Sequence, residues 1–412
     1  MRPTIERFRP EDAADFVTAM NRAFLQDPLP DGGAARAAHW LRLAQPDPER
    51  TRAAYDGGRI VATFRTMPLE LTLPGGATVG ADGVAAVTVS PTHRRQGLLT
   101  RMMTESLRGA ADRGEPVSAL HASEWPIYGR FGFGPATEAA TWEVRRDRAA
   151  PQPAPTGMEL VTTAEAVELA RPVYDRARLR RAGGMSRPAY RWIMDFGLDR
   201  GDGAPPGFNG YAAVHRDAAG EVDGYLLWHP EDKWSNWRSD AVLHVDELVA
   251  ANEEAYRQLW RFTFAVDLIV TVRAEDRRTD EPVAHLPGIG RAATQAERHD
   301  DLWLRLIDVP AVLGARAYGV SGRVVFEVAD PTGLAAGTYA LEAGPDGAAC
   351  KQTGESAELT LPVGVLGSAV LGGFRLRALA EAGLLDEHRA GAVEAADRLL
   401  CTDLVPFCTL HF

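Results

Sequence analysis

The segment Val84–Leu107, VAAVTVSPTHRRQGLLTRMMTESL, constrains the fold more than any other stretch of the chain. Small and β-branched residues alternate from Val84 to Val89, which predicts a strand. Pro91 ends it, and Arg94, Arg95 and Gly97 follow. Leu98, Leu99, Met102, Met103 and Leu107 then recur at helical spacing. A strand that leads through a basic, glycine-containing turn into a helix is a cradle for phosphate. The first helical N–H groups have no intrahelical partner, and the helix dipole favours an anion beside them. Gly97 removes the side chain that would hold a ligand away from the backbone. The order Pro-x-x-Arg-Arg-x-Gly-Leu is neither a Walker A loop nor a dinucleotide fingerprint.

With 412 residues the chain is long enough for two or three domains. Its 45 Lys and Arg against 56 Asp and Glu leave a net charge of −11. That balance argues against nucleic acid as a partner and is compatible with a cationic ligand. Cys350, Cys401 and Cys408 are odd in number and late in the chain, so they make no disulfide framework. With no CxxC and no His/Cys cluster at zinc spacing, no metal is expected. MRPTIERFRPED lacks the apolar core of a signal peptide. The longest apolar run, Leu359–Phe374, is dotted with glycine and short of a membrane span. A cytoplasmic chain without a membrane partner is the expectation.

The expected fold class is α/β (α+β) in three units. Residues 1–150 read as one unit: an early helix around Phe16 and Met20, a hairpin at Asp56-Gly57-Gly58, then the Val84 strand and its helix. VSALHAS adds a strand, EWPIYGRFGF a short helix and loop, and ATWEVRR a closing strand. A proline-rich linker, Ala149–Gly157, follows. Residues 151–295 repeat the strand–strand–strand–helix–strand order, but Ala-Asn-Glu-Glu stands where the first unit has Arg-Arg-x-Gly. A negative helix start repels phosphate, so this unit should keep the fold and lack the ligand. Residues 296–412 combine short strands with apolar helices, whose apolar segments are expected to be core.

The loop P-x-x-R-R-x-G-L resembles the acetyl-CoA pyrophosphate loop of the GNAT N-acetyltransferases, and the element order resembles their fold. The last unit resembles a sterol-carrier-type domain. Acetyl transfer to an amine needs a held donor, an oxyanion donor and an acid for the departing thiolate. Main-chain groups at Val87 and Val89 could hold the pantetheine arm like an added strand, with the Val87 N–H as oxyanion donor. Tyr128 in HASEWPIYGRFGF is the candidate acid. Taken alone, it reads first as an aromatic packing residue.

Three features together resemble the Eis (enhanced intracellular survival) acetyltransferase family over essentially the whole chain. They are VSPTHRRQGLL, LHASEWPIYGRFGFGPAT, and an aromatic terminus after two α/β units and a sterol-carrier-like domain. The resemblance implies a hexameric, acetyl-CoA-dependent N-acetyltransferase that modifies several amines of an aminoglycoside and can act on lysine amines. It implies Tyr128 as general acid and the terminal carboxylate of Phe412 as the second catalytic group. It assigns acetyl-CoA contacts to Val87, Val89, Arg94, Arg95, Gly97, Leu98 and Ser123, with Arg130 nearby. Phe24, Asp27, Trp40 and His121 match its acceptor-pocket residues more loosely. Otherwise Asp27 reads as a turn residue, Trp40 as helix core and His121 as a satisfied strand histidine. His411 stands where the family carries an acidic residue, and Trp125-Pro126 where it often has small ones, which narrows the cleft. A lysine acetyltransferase is the alternative enzyme. A carrier protein with a vestigial acetyltransferase unit is the alternative outside catalysis.

Overall fold

The computed structural model describes residues 3–205 and 207–412. β1 (Thr4–Arg7) pairs with β2 (Thr51–Asp56), and Gly57 and Gly58, both at positive φ, turn β2 back into β3 (Arg59–Thr72). Between β1 and β2, α1 (Ala13–Ala23) and α2 (Ala34–Ala44) bury Phe16, Val17 and Ala37 against Phe8, Tyr55 and Ile60. β4 (Thr78–Val89) runs antiparallel to β3. α3 (Leu98–Asp112) then crosses over with Leu98, Met102, Met103, Leu107 and Ala110 all buried, the face its spacing predicts. β5 (Val117–His121) lies parallel to β4, but only from Ala81 opposite Val117 to Gly83 opposite Ala119. Beyond Gly83 the two strands are no longer paired. After β5, α4 (Trp125–Tyr128) and β6 (Gly134–Pro135) complete the first third of the chain.

The next strand leaves this sheet. β7 (Glu138–Arg145), expected from the sequence to close the first unit, lies in the second sheet instead. That sheet also holds β8 (Met158–Val161), β9 (Tyr211–Arg216), β10 (Val222–Glu231), β13 (Ala241–Ala250), β14 (Ile269–Arg277) and β15 (Ala293–Asp300). A two-stranded ribbon of β11 (Trp234–Ser235) and β12 (Arg238–Ser239) separates β10 from β13 in sequence. α5 (Thr163–Arg178), α6 (Ala189–Asp195) and α7 (Glu253–Ala265) belong to this unit. In return, β16 (Leu302–Leu306) inserts into the first sheet between β5 and β6, with Leu302 opposite His121 and Leu306 opposite Val117. Every residue of β16 is buried, as a central strand demands. Among the described residues the result is two seven-stranded sheets, ordered β1-β2-β3-β4-β5-β16-β6 and β15-β7-β14-β13-β10-β9-β8. Cuts near residues 150 and 295 therefore divide strands that belong together.

The last unit is a five-stranded sheet of β17 (Gly322–Ala329), β18 (Gly337–Gly344), β19 (Gly347–Gln352), β20 (Leu359–Pro362) and β21 (Asp386–Glu387). α8 (Val309–Ala315), α9 (Val363–Ala369), α10 (Leu376–Glu381) and α11 (Ala392–Leu400) accompany it. Its core is continuous with that of the first sheet: Leu304, Leu306, Val363, Leu366 and Phe326 share one cluster with Leu71 and Leu410. Gly367 permits this contact, because a Cβ there would meet the Leu304 carbonyl oxygen at 2.4 Å. The apolar run from Leu359 is thus core, and no helix among the described residues is long and apolar enough to cross a membrane. Residues 401–412 return across the second unit, where the Phe407 N–H donates to the Ala182 carbonyl at 2.9 Å. They end at the first sheet.

Candidate active site

β4 carries a bulge at the point where it has left β5. Thr63 faces Thr88 and Arg65 faces Ala85, so Ala86 and Val87 together oppose the single residue Phe64. Ala86 takes φ of 52°, a strained value for alanine, and the Thr63 hydroxyl holds it by donating to the Ala86 carbonyl at 2.8 Å. Such a bulge takes one residue's main-chain groups out of the regular ladder. Ala86 and Val87 are the two residues of the bulge.

Downstream, Arg94 and Arg95 are exposed, Arg95 has φ of 64°, and Gly97 at 75° is the residue that caps α3. No side chain caps this helix end and its first turn holds no acidic residue, which leaves the N–H groups for an anion. These features fit the pyrophosphate of a coenzyme A thioester. The corresponding helix of the second unit differs in each respect. Asn252 caps α7 by accepting from the Ala255 N–H, and Glu253 and Glu254 occupy the first turn. The start of α7 therefore lacks the uncapped, acid-free end that α3 presents.

Tyr128 is buried at the end of α4, in a cluster with Leu98, Met102 and Phe133 against which Val87 and Val89 pack. β4, the first residue of α3 and the Tyr128 ring thus meet in one apolar cluster. Burial pushes the phenol above its ordinary pKa of 10; the neighbouring Ser123 hydroxyl opposes that and the Glu124 charge adds to it. Ser123 itself is exposed just beyond β5. The Arg130 guanidinium lies 5.0 Å over the Phe131 ring.

A second group forms at the end of β5. The His121 ring stacks on His411 at 4.3 Å and meets the Phe412 ring edge-on at 4.9 Å. His121 Nε2 is 3.1 Å from the Leu410 carbonyl oxygen, and Nδ1 is 2.9 Å from Oδ1 of Asp301. His411 Nε2 is 3.4 Å from the same Asp301 oxygen. Burial, reinforced by the His121 charge, lowers the His411 pKa, although Asp301 and Asp276 pull it up. Asp301 feels the opposite balance. Burial raises its pKa, but contact with His121, the His411 charge and the Thr137 hydroxyl together bring it below the usual carboxylate value.

The acceptor residues expected from the sequence, and the catalytic candidate Phe412, divide. His121, His411 and Phe412 come together. Phe24 and Asp27 sit on the exposed turn after α1, where the Asp27 carbonyl accepts from the Asn21 amide at 2.5 Å. Trp40 stacks its indole on Phe16 at 5.2 Å and meets Phe8 edge-on at 5.3 Å, within the core under α1. Trp125 is 60% exposed and is fixed over Trp303 by donating to Asp300 at 3.0 Å. Asp301 and Gly83, both in contact with this group, escape the sequence reading. Asp301 is brought in only by the antiparallel register that sets Leu302 opposite His121.

Two stretches, residues 4–136 and 183–306, match the acetyltransferase (GNAT) domain, and residues 309–409 match the sterol carrier protein domain. Fold and site therefore define a GNAT N-acetyltransferase with a second GNAT domain and a sterol-carrier-like unit. An uncharacterized N-acetyltransferase from Streptomyces griseus is 38% identical over 412 residues, 98% of either chain. N-acetyltransferase Eis from Mycobacterium tuberculosis is 36% identical over 360 residues, 84% of this chain and 85% of that one. The crystal structure of Eis1 from Mycobacterium abscessus superposes with a TM-score of 0.85 at 32% identity, covering 100% of both chains. The chain belongs to the Eis family of N-acetyltransferases.

Proposed function

We propose that the protein transfers acetyl groups from acetyl-CoA to the amines of a polycationic small molecule of the aminoglycoside type, at more than one position. The observation that carries this reading is the meeting of His121, His411 and Phe412 where β4 and β5 part, on the sheet whose β4 leads into the uncapped start of α3. Arg94, Arg95 and the first N–H groups of α3 hold the pyrophosphate, Gly97 lets it approach, and Leu98 and Ser123 flank the arm. Val87 and Val89 pair with the pantetheine, with Arg130 at its edge. Bound acetyl-CoA supplies the acetyl thioester. The Val87 N–H stabilises the developing oxyanion. Tyr128, still protonated because burial raises its pKa, gives its proton to the departing sulfur. The α-carboxylate of Phe412, with an ordinary pKa of about 3.3–3.7, is a weak base. It orients the acceptor ammonium and receives its proton through water. Phe24 and Asp27 form the outer wall, where Asp27 attracts a second ammonium. The assembly proposed with this activity is a homo-hexamer.

The test is thiol release from acetyl-CoA across a panel of aminoglycosides and a lysine peptide, with product masses read afterwards. More than one acetyl per aminoglycoside is expected. Acetyl-CoA binding without turnover on any amine would overturn the reading. A protein lysine acceptor is the second reading, favoured by His411, which stands where the family carries an acidic residue and so leaves the cleft one negative charge fewer. Turnover confined to the peptide would select it.

A further inference from the structure

Three side chains from distant parts of the chain aim donor atoms at one point. His121 ends β5, Asp301 precedes the strand paired with it, and His411 comes from the terminal segment. Their ligand atoms all lie within 4.8 Å of one another, and both imidazoles approach the same carboxylate oxygen, at 2.9 and 3.4 Å. The Leu410 carbonyl can only accept, so the His121 nitrogen beside it, Nε2, carries the proton. In a neutral ring Nδ1 is then a bare lone pair, and it faces a carboxylate. Nδ1 of His121 and Oδ1 of Asp301 face each other at 2.9 Å with no other hydrogen-bond partner, although the Asp301 side chain is only 1% exposed. Two lone pairs held face to face away from water repel each other unless a proton or a metal cation lies between them.

We propose that His121, Asp301 and His411 bind one divalent transition-metal ion of the zinc type. Two imidazoles and a carboxylate suit zinc and leave a coordination position open. Donation of the other His121 N–H to a main-chain carbonyl is the arrangement that orients histidine ligands elsewhere. With metal–ligand bonds of about 2.0–2.2 Å, donor atoms share an ion when they stand within about 4 Å. A small rotation of the half-exposed His411 closes the remainder. Asp276 also lies near, 3.8 Å from His411 Nε2 and 3.4 Å from His299. The ion ties the terminal segment to β5 and β16, and so fixes the residue before Phe412. Local spacing in the sequence contains no such motif, because the three ligands meet only through strand pairing and the return of the terminus.

The experiment titrates the full-length, chelator-stripped protein with Zn²⁺ by calorimetry and with Co²⁺ by visible absorption. The expected result is one ion per chain, a zinc-dependent rise in melting temperature, and Co²⁺ ligand-field bands. His411→Gln, at an exposed position that folding tolerates, and His121→Gln should each weaken zinc binding by at least about tenfold. The surface pair His229 and His244, stacked at 4.8 Å beside Asp246 and Glu231, is the internal control. His229→Gln should leave the titration unchanged. No stoichiometric binding, as expected if His121 is simply an imidazolium paired with Asp301, would overturn the proposal. So would binding that survives His411→Gln, or binding that His229→Gln abolishes. None of these readouts depends on acetyl transfer, so they are separable from the proposed activity.

Discussion

Phe412 rests its ring on Gly83. A Cβ built on Gly83 stands 3.1 Å from Cε2 of that ring and 2.6 Å from Cδ1 of Leu69. Gly83 is also the last residue of β4 paired with β5, so the terminal ring occupies the notch where the strands part. The backbone there is not left-handed, so Gly83→Ala adds bulk without backbone strain. Overpacking of this kind costs about 1–3 kcal/mol. The ring should move, and kcat/KM for the amine should fall about tenfold or more while acetyl-CoA affinity holds. Steady-state kinetics with calorimetric binding of acetyl-CoA check this, and unchanged kcat/KM would free Phe412 from any positional demand.

Tyr128→Phe removes one oxygen from a buried cluster and leaves its packing. If the phenol is the acid, kcat should drop about 10²-fold or more. Acetyl-CoA affinity should be little altered. Because burial raises the phenol pKa above 10, its ionisation lies beyond the working range. The basic limb of the pH–rate profile should therefore survive in the variant. A limb that disappears with the hydroxyl would mean that Tyr128 titrates within the range.

Gly97 at φ of 75° positions the start of α3. Open space surrounds it, so Gly97→Ala costs backbone strain alone. About 1 kcal/mol of strain should raise the KM for acetyl-CoA roughly fivefold. Binding isotherms for the variant decide the matter, since an unmoved affinity would remove this turn from the donor site.

Arg305 in β16 and Asp330 after β17 form a fully buried ion pair at 2.7 Å that joins the first sheet to the last unit. Asp330→Ala leaves a buried guanidinium uncompensated and should destabilise the protein by about 3–5 kcal/mol. Burial pushes the Asp330 pKa up, but the Ala335 N–H, the Arg305 charge and Thr332 together bring it below the usual value. A carboxylate whose folded pKa is depressed stabilises the fold above its unfolded pKa, and that contribution fades as pH falls through the folded value. Denaturant melts from neutral to acid pH should show wild type losing this increment below about pH 4, with Asp330→Ala flatter there. Parallel pH profiles for the two proteins would contradict the assignment.

Residues 1–150 should not fold as an isolated fragment. Without β16, strand β5 loses its antiparallel neighbour, and β7 has neither β14 nor β15 to pair with. Circular dichroism should show no cooperative melt. A fragment that melts cooperatively and binds acetyl-CoA would refute this.

The anion loop is legible in the sequence because all its parts are contiguous: strand, Pro91, the arginines, Gly97 and an amphipathic helix. The contrasting start of α7 is legible for the same reason, since Asn252 and Glu253 act on the helix they begin. Strand partners are not. β7 reads as a strand and is one, but its neighbours come from residues 269–277 and 293–300, and no local pattern names them. Trp40 at helical spacing fits a core or a pocket equally, and only its stacking on Phe16 decides. Asp301 looks like one more polar residue before a strand until the register brings it beside His121. His411 is visible as a departure from the family, yet its two partners lie in other units of the chain.

The exchange of β7 and β16 also sets a timetable for synthesis. Residues up to Pro135 leave the ribosome first, yet their sheet stays open between β5 and β6 until Leu302–Leu306 has been made. β7, already synthesised, waits through the same interval for β14 and β15. A nascent chain therefore carries unpaired edges from both sheets at once, a state exposed to aggregation. The two acetyltransferase folds are completed within one short stretch of translation, and neither is inherited ready-made by the other.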